Sequence, residues 1–257
     1  MSHIFKAGDF FKNEKQQERL LLMGDSRLLI VAGSGTTATT LVYTFYHLAR
    51  DSSIADKIRA ELKEKKIKNN DEMSVPDLQY CDYLNGVINE TLRLHPPVPG
   101  GVFRNTPKEG IVIDGKHLPG GVKVIGPHYT IQRCTCQILA LLSASPVYPK
   151  SHVLTSTPAP KAFVRPDEYI LERWTTEPDL VLNKNAFFPF SIGKFSCIGK
   201  QLALSELRTV LAKMVLEFDV AFAPGEDGTR LLTQSKDNFT MSNAELSLVW
   251  TERTVKD

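Results

Sequence analysis

One cysteine of this chain lies in a glycine-bearing loop that leads into a helical pattern, where its sulfur could bind a metal. The loop is FSIGKFSCIG, residues 190–199, and the helical pattern follows over 200–207. At the start of a helix, unpaired N–H groups and the positive end of the dipole favour a thiolate at Cys197. Gly193 and Gly199 let the backbone approach a flat cofactor closely, because glycine has no Cβ atom. For a lone cysteine the alternative is a buried, inert side chain beside a helix.

An acid and a base, Glu90 and Arg93, stand three residues apart near the end of a predicted helix, 78–94. Side chains at i and i+3 lie on one face of a helix, so the carboxylate and the guanidinium can pair. The prolines that follow His95 stop the helix and force extended backbone. Such a pair alone usually marks a solvated helix face, so its weight comes from its context.

Small residues interrupt the apolar pattern of another predicted helix, 25–50, which Asp25 or Ser26 could cap. Residues 32–40, AGSGTTATT, contain two glycines and four threonines. Each interior glycine costs a helix about 1 kcal/mol, so something must offset that loss. Close packing of a neighbouring helix against the small residues is one explanation.

Together, the three motifs resemble the cytochrome P450 family, the haem-thiolate monooxygenases, and the match is to the C-terminal half of eukaryotic, fungal-type members. The resemblance implies that Cys197 is the axial ligand of the iron of haem b. It places Phe190, Gly193 and Gly199 in the loop that binds the haem.

The same resemblance implies roles for residues outside the loop. Thr36 stands at the threonine of the family's distal helix, where a local widening admits dioxygen and the hydroxyl helps to deliver protons. Arg104 matches an arginine that binds a haem propionate. Arg173 matches the arginine that completes a Glu-Arg-Arg network with Glu90 and Arg93, which would hold the cysteine loop in position.

Two positions depart from the family's pattern. Phe195 stands two residues before the cysteine, where the family usually has an arginine that reaches a haem propionate, so we expect weaker haem affinity. Gly35 stands where the family has an acid before Thr36, so proton delivery would depend on water and hydroxyl groups alone.

The fold class that the resemblance implies is mainly α with small β-sheets, the C-terminal portion of the cytochrome P450 fold, as one partial domain over residues 1–257. Its parts are the distal helix 25–50, the Glu-x-x-Arg helix 78–94, a β region 100–133, an atypical insertion 134–159, and the haem-thiolate loop with its helix, 186–216.

Inside the β region, strand 111–113 is predicted to turn at Asp114 and Gly115 and to be followed by strand 121–125. A further strand is predicted to end at 129–133. Two terminal strands are predicted near 218–222 and 246–250.

The insertion 134–159 is rich in Ser, Thr, Pro and Leu and has no acidic residue. A long irregular segment of this kind is uncommon inside a compact domain. We interpret it as translated non-coding sequence, and a disordered surface loop is the alternative.

By resemblance, the full-length enzyme would take electrons from an NADPH-dependent reductase and insert one oxygen atom from dioxygen into a small organic substrate of secondary metabolism. Two alternatives stay open. One is a truncated, catalytically inactive fragment that binds haem poorly, and the other is a haem-binding regulatory module without oxygenase activity.

Composition excludes several other classes. The 31 basic and 29 acidic residues nearly balance, which gives no reason to expect nucleic acid as a partner. Four cysteines form no disulfide framework, which fits a reducing compartment. With 42% hydrophobic residues, the chain can form a sizeable core.

The family resemblance implies the cytosolic face of the endoplasmic reticulum membrane, where an N-terminal anchor holds eukaryotic members. Here residues 1–19 are polar and charged, and no run of about 18 to 20 uninterrupted apolar residues occurs. We therefore predict no transmembrane segment in this chain, and we expect the chain by itself in the cytosol.

Overall fold

The structure is a computed structural model that describes residues 14–67, 73–113, 115–133, 139–140, 154–155 and 162–254. Helices form most of it, and short 3-10 turns connect them. The α-helices are α1 Glu14–Arg50, α2 Ser53–Glu64, α3 Asp82–Leu94, α4 His128–Arg133, α5 Lys200–Glu217 and α6 Thr229–Gln234. The 3-10 turns are Asp77–Tyr80, Leu171–Trp174, Pro178–Leu180, Lys184–Ala186 and Gly193–Phe195.

The strands of the described residues are short and pair as antiparallel two-stranded ribbons. They are β1 Phe103–Asn105 with β4 Lys123–Ile125, β2 Ile111–Ile113 with β3 Lys116–Leu118, β5 Leu139–Ala140 with β6 Leu154–Thr155, β7 Phe218–Phe222 with β10 Leu248–Glu252, and β8 Lys236–Asn238 with β9 Thr240–Ser242. The predicted class, mainly α with small β-sheets, is confirmed.

The hairpin partner of β2 differs from the prediction. β2 pairs with β3, which starts at Lys116, and 123–125 pairs with β1 instead. A two-residue connection favours a tight hairpin, and Gly115 supplies the left-handed backbone, φ +71°, that such a turn requires. Asp114 lies outside the described residues.

The start of α1 also differs, because the helix begins at Glu14 and not at the predicted 25. Residues 14–22, EKQQERLLL, are strong helix formers and continue the helix without a break. The hydroxyl of Ser26 donates to the carbonyl of Leu22 at 2.8 Å, so this serine bonds inside the helix and does not cap it.

The predicted helix 78–94 is divided at Cys81, whose backbone is extended, so that a 3-10 turn precedes α3. The carboxylate of Glu61 accepts from the N–H groups of Tyr83 at 2.9 Å and Leu84 at 3.0 Å. A carboxylate from α2 therefore satisfies the free donors at the start of α3, which fixes where the helix begins.

The stretch 129–133, predicted as the end of a strand, belongs to helix α4. Its first turn closes when the N–H of Ile131 donates to the carbonyl of Pro127 at 3.0 Å. Its β-branched residues favour a strand only weakly, so the tertiary contact with α3 can stabilise a helix here instead. The helix predicted to end near 216 is α5, which ends at Glu217.

The main core lies where α1, α2, α3 and α5 pack together. Its centre consists of fully buried aliphatic side chains, among them Ile58, Leu62, Leu84, Val87 and Leu211. Burial of such side chains contributes about 1.5–3 kcal/mol each. This core fixes α3 against α5, and the cysteine loop leads directly into α5.

One helix of the described residues, Gln17–Arg50, is long and apolar enough to cross a membrane, and it contains an 18-residue stretch with a mean hydropathy of 1.4. We had expected no transmembrane segment, because no uninterrupted apolar run is long enough. A mean hydropathy can still be high when glycines and threonines interrupt the apolar residues, as they do here. The core helix of a soluble protein and a signal sequence meet the same criterion of length and composition; here 28% of the apolar stretch is buried, and α1 packs on α3 and α5.

Most of the predicted insertion 134–159 lies outside the described residues. Within it, β5 and β6 pair in antiparallel register, with Leu139 opposite Thr155 and Ala140 opposite Leu154. The backbone on both sides of the insertion, 128–133 and 162–170, belongs to the packed structure.

Candidate functional site

The predicted network is centred on the buried carboxylate of Glu90. Glu90, Arg93 and Arg173 are at most 1% exposed. Glu90 accepts two hydrogen bonds from Arg93, both at 2.8 Å, and one from Nε of Arg173 at 3.0 Å. It also accepts from the backbone N–H of Ile170 at 2.9 Å and from the indole N–H of Trp174 at 2.8 Å. Five donors on one carboxylate satisfy a charge that burial would otherwise penalise severely.

The two guanidinium groups attach a later part of the chain to α3. Arg93 donates to the carbonyls of Pro166 at 2.6 Å and Glu168 at 2.9 Å. Arg173 donates to the carbonyl of Val164 at 3.0 Å. Because guanidinium groups have several donors in fixed directions, they can bind a carboxylate and loop carbonyls at once. The network therefore serves to hold segment 162–174 on α3.

The cysteine loop has an exposed sulfur and a tightly constrained backbone. Cys197 is a free, exposed cysteine, and its N–H donates to the carbonyl of Phe190 at 2.7 Å. The N–H of Ser196 donates to the carbonyl of Gly193 at 3.0 Å. Gly193 has φ +70°, a conformation that costs other residues about 1–2 kcal/mol. Gly199, the N-cap of α5, has an ordinary φ of −82°, so its backbone does not require glycine.

Exposed apolar side chains flank this sulfur. Ile192, Phe195, Ile198 and Leu202 are between 57% and 73% exposed, in the loop and the first turn of α5. Water disfavours such surface by about 25 cal/mol per Å², so a flat apolar ligand that covers it gains affinity. A thiol among these side chains therefore fits a planar cofactor that carries a thiolate-binding metal, as haem does.

Arg104 joins β1 to the cysteine loop. Its guanidinium donates to the carbonyl of Phe103 at 2.9 Å and to the hydroxyl of Ser191 at 3.4 Å. It also lies over the ring of Phe195, 4.8 Å from the centroid. No ion pair joins Arg104 to a carboxylate within the described ranges. Its charge is therefore available to an acidic group of a ligand near the loop.

Thr36 lies on α1 and makes its hydrogen bonds within that helix. Its hydroxyl donates to the carbonyl of Ala32 at 2.8 Å and approaches that of Gly33 at 3.4 Å. A Cβ atom at Gly33 or Gly35 would meet nothing within 4 Å. Close helix packing, the explanation offered for these glycines above, is thus wrong for the part of the chain that the structure describes. The helix nevertheless continues through both positions.

Two histidines, the buried His47 and the half-buried His95, join the ends of α1 and α3. The Nε2 atoms of His47 and His95 are 3.0 Å apart, so one ring donates and the other accepts. His47 stacks on Tyr169 with ring centroids 3.6 Å apart, and His95 stacks on Tyr43 at 4.1 Å. Burial lowers the pKa of His47 to about 3, and Arg50 acts in the same direction. Burial and the neighbouring His47 lower the pKa of His95 as well.

The sequence interpretation missed several of these contacts. Trp174 was visible as the neighbour of Arg173, but only the fold shows that its indole reaches Glu90. Ser191 and Lys194 lie inside the recognised loop, yet their spacing gave no signal of their contacts with Arg104 and Phe195. The histidine pair joins residues 48 positions apart, beyond the reach of any local pattern.

Comparison with known proteins gives consistent matches. A sequence model of the family described as Cytochrome P450 matches residues 12–135 and 153–250, and the gap between them falls inside segment 134–159. The chain is 40% identical over 233 residues to cytochrome P450 monooxygenase lcsK of Purpureocillium lilacinum, which covers 91% of this chain and 38% of that protein. It is 40% identical over 238 residues to tryprostatin B 6-hydroxylase of Aspergillus fumigatus, covering 93% and 38%.

The same similarity is seen in three dimensions. The crystal structure of a cytochrome P450, CYP102L1, matches with a TM-score of 0.65 and 24% identity, over 88% of this chain and 44% of that one. At this identity the match shows the fold alone. The chain spans about 38% of the length of the two relatives named above.

Proposed function

Because this chain belongs to the cytochrome P450 family, we propose that it forms the haem-thiolate part of a monooxygenase that inserts one oxygen atom from dioxygen into a small organic substrate. The observation that carries the proposal is the free, exposed Cys197 among exposed apolar side chains at the start of α5. Relatives named as monooxygenases and as a hydroxylase of fungal origin support a role in secondary metabolism.

Four features of the chain would bind the cofactor. Cys197 would supply the sulfur ligand of the haem iron, and Arg104 would bind a carboxylate. The carbonyls of Phe190 and Gly193 accept the hydrogen bonds that fix the backbone around the exposed Cys197, and Gly199 lies beside the sulfur, where a Cβ atom would be 3.8 Å from it. When bound, haem supplies the iron centre at which dioxygen is activated, with the thiolate as electron-rich ligand.

The other site residues support the cysteine loop or transfer protons. Glu90, Arg93 and Arg173 keep segment 162–174 on α3, which also packs against α5 and so supports the loop. Thr36 can move a proton by exchanging its hydrogen bond to the Ala32 carbonyl for one to a water molecule.

For the whole protein we propose an NADPH-dependent reductase as electron donor and the cytosolic face of the endoplasmic reticulum as location. The reductase and the location are both inferred from the family, and they apply to the whole protein. Colocalisation of the fluorescently tagged full-length protein with a reticulum marker tests the location, and a diffuse cytosolic signal would contradict it. NADPH consumption with added reductase tests the electron donor.

A second candidate function is a catalytically inactive chain that binds haem weakly. The observation that favours it is the exposure of Leu28, Leu29, Ile30 and Val31 on α1, each at least 60% exposed. Apolar surface left in water lowers solubility and competes with cofactor binding through self-association. A substoichiometric haem content would support this candidate over the first.

Carbon monoxide difference spectroscopy separates the candidates. The purified 257-residue chain is titrated with haem, reduced and exposed to carbon monoxide, and a red-shifted Soret band reports thiolate ligation. Cys197→Ala should abolish this band. Cys81→Ala is the control, because Cys81 is buried and burial raises the pKa of its thiol to about 11. Retention of the band in Cys197→Ala would refute the ligand assignment.

A further inference from the structure

Two cations of different elements share the ring of Phe195. The guanidinium carbon of Arg104, on β1, lies 4.8 Å from the ring centroid, and Nζ of Lys194 lies 4.9 Å from it. We propose that Lys194 binds a carboxylate of the cofactor beside the one expected at Arg104, and that the Phe195 ring holds both cations in place. The proposal rests on the proposed function, since it concerns the cofactor of the same loop.

The charge distribution of the loop supports this role. Residues 180–205 contain no Asp or Glu, whereas Lys184, Lys194 and Lys200 are all within this stretch. Within the described part of the chain, no ion pair joins Lys194 or Arg104 to a carboxylate. A ligand with two carboxylates would therefore meet two uncompensated cations beside the apolar surface that binds its ring.

The aromatic ring explains how these cations can be ready for a ligand. The attraction of an exposed cation to an aromatic face is weak, and it leaves the N–H donors of the cation free for other partners. The ring can therefore keep the cation nearby until a carboxylate binds it. Lys194 is exposed, and its ammonium group can turn from the ring towards a carboxylate. A hydrogen bond to the hydroxyl of Ser191, at 3.4 Å, also restricts Arg104. Phe195, which replaces a cation of the family's pattern, would thus position its neighbours.

The test compares haem with haem dimethyl ester, whose carboxylates are blocked and uncharged. Dissociation constants are measured from Soret titrations of the 257-residue chain and three variants. Lys194→Met removes the charge at nearly constant length, Lys194→Arg keeps it, and Lys213→Met removes an exposed charge of α5 as a control for net charge. We expect Lys194→Met to weaken haem binding about fivefold and to leave dimethyl ester binding unchanged. Lys194→Arg and Lys213→Met should bind haem like the parent.

Every result decides the question. Equal losses for haem and its ester in Lys194→Met, or no loss for either, would overturn the carboxylate role while leaving the Cys197 assignment intact. Phe195→Leu should reduce the preference for haem over its ester, since both cations lose their common ring, and an unchanged preference would overturn the positioning role. If the parent chain takes up no haem, both this proposal and the proposed function fail.

Discussion

Replacing Glu90 with glutamine tests the central claim about the buried network, because it removes a charge at constant shape. Glu90 is 0% exposed and accepts all five of its hydrogen bonds from buried or part-buried donors. An amide has one acceptor oxygen, and its NH₂ group would face donors on the other side. Arg93 and Arg173 would remain charged and buried without a counter-ion.

The size of the loss follows from this arrangement. Removing one partner of a buried ion pair typically costs about 3–5 kcal/mol, because the remaining charge is left uncompensated. The substitution leaves no cavity, so packing adds little. The whole free energy of unfolding of a domain is about 5–15 kcal/mol, and the expected loss is therefore a large share of it. A urea slope of about 2 kcal/mol per molar converts it into a midpoint decrease of about 1.5–2.5 M.

Urea unfolding followed by tryptophan fluorescence measures this loss, and Trp174 reports directly because its indole donates to Glu90. Glu172→Gln is the matched control. Oε1 of Glu172 lies 4.0 Å from Nζ of Lys57, and both side chains are largely exposed. Glu172→Gln should therefore lower the free energy of unfolding by less than about 1 kcal/mol. If Glu90→Gln costs no more than the control, the carboxylate does not hold the network together.

Three further changes test other parts of the structure. Lowering the pH from 6.5 to 5 should lower the free energy of unfolding by about 2 kcal/mol through His47, because its pKa is lowered in the folded chain and the unfolded chain takes up the proton. In His47→Gln, urea titrations at both pH values should show a pH effect that is smaller by this amount. Gly35→Ala should raise the free energy of unfolding by about 1 kcal/mol, since nothing lies within 4 Å of the new methyl group, and a destabilised protein would reveal an unseen neighbour. Gly193→Ala should weaken haem binding about tenfold in Soret titrations, as φ +70° strains alanine, and unchanged affinity would show that the loop tolerates another conformation.

The residues of the candidate site could be named from the sequence where their chemistry depends on local spacing. Glu90 and Arg93 share a helix face, and the cysteine loop has a compact glycine pattern, so both are visible over about ten residues. Arg173 is 83 positions from Glu90, and only the family resemblance connected them before the fold was known. Nothing in the sequence indicated that Trp174 would be a donor to the same carboxylate.

Element boundaries were predicted less well, because contacts from elsewhere in the chain set them. The carboxylate of Glu61 on α2 fixes where α3 begins, which the pattern of 78–94 alone could not show. Ser26 had the residue type of a helix cap, yet the preceding helix formers extended α1 past it. Local propensity is a weak guide at such positions, since one tertiary hydrogen bond can exceed it.

The structure combines a buried scaffold, whose central carboxylate is satisfied by protein donors, with an exposed apolar surface beside Cys197. Glu90 and its donors require no cofactor, and the core of α2, α3 and α5 is buried without one. Ile192 and Ile198 beside Cys197 stay in water instead, at 72% and 73% exposure. Binding that covers this surface stabilises only the folded chain, by about 2.7 kcal/mol when the free ligand is at 100 times its dissociation constant. The network and the cysteine loop should therefore contribute separately to stability: the network with or without haem, and the loop only when haem is bound.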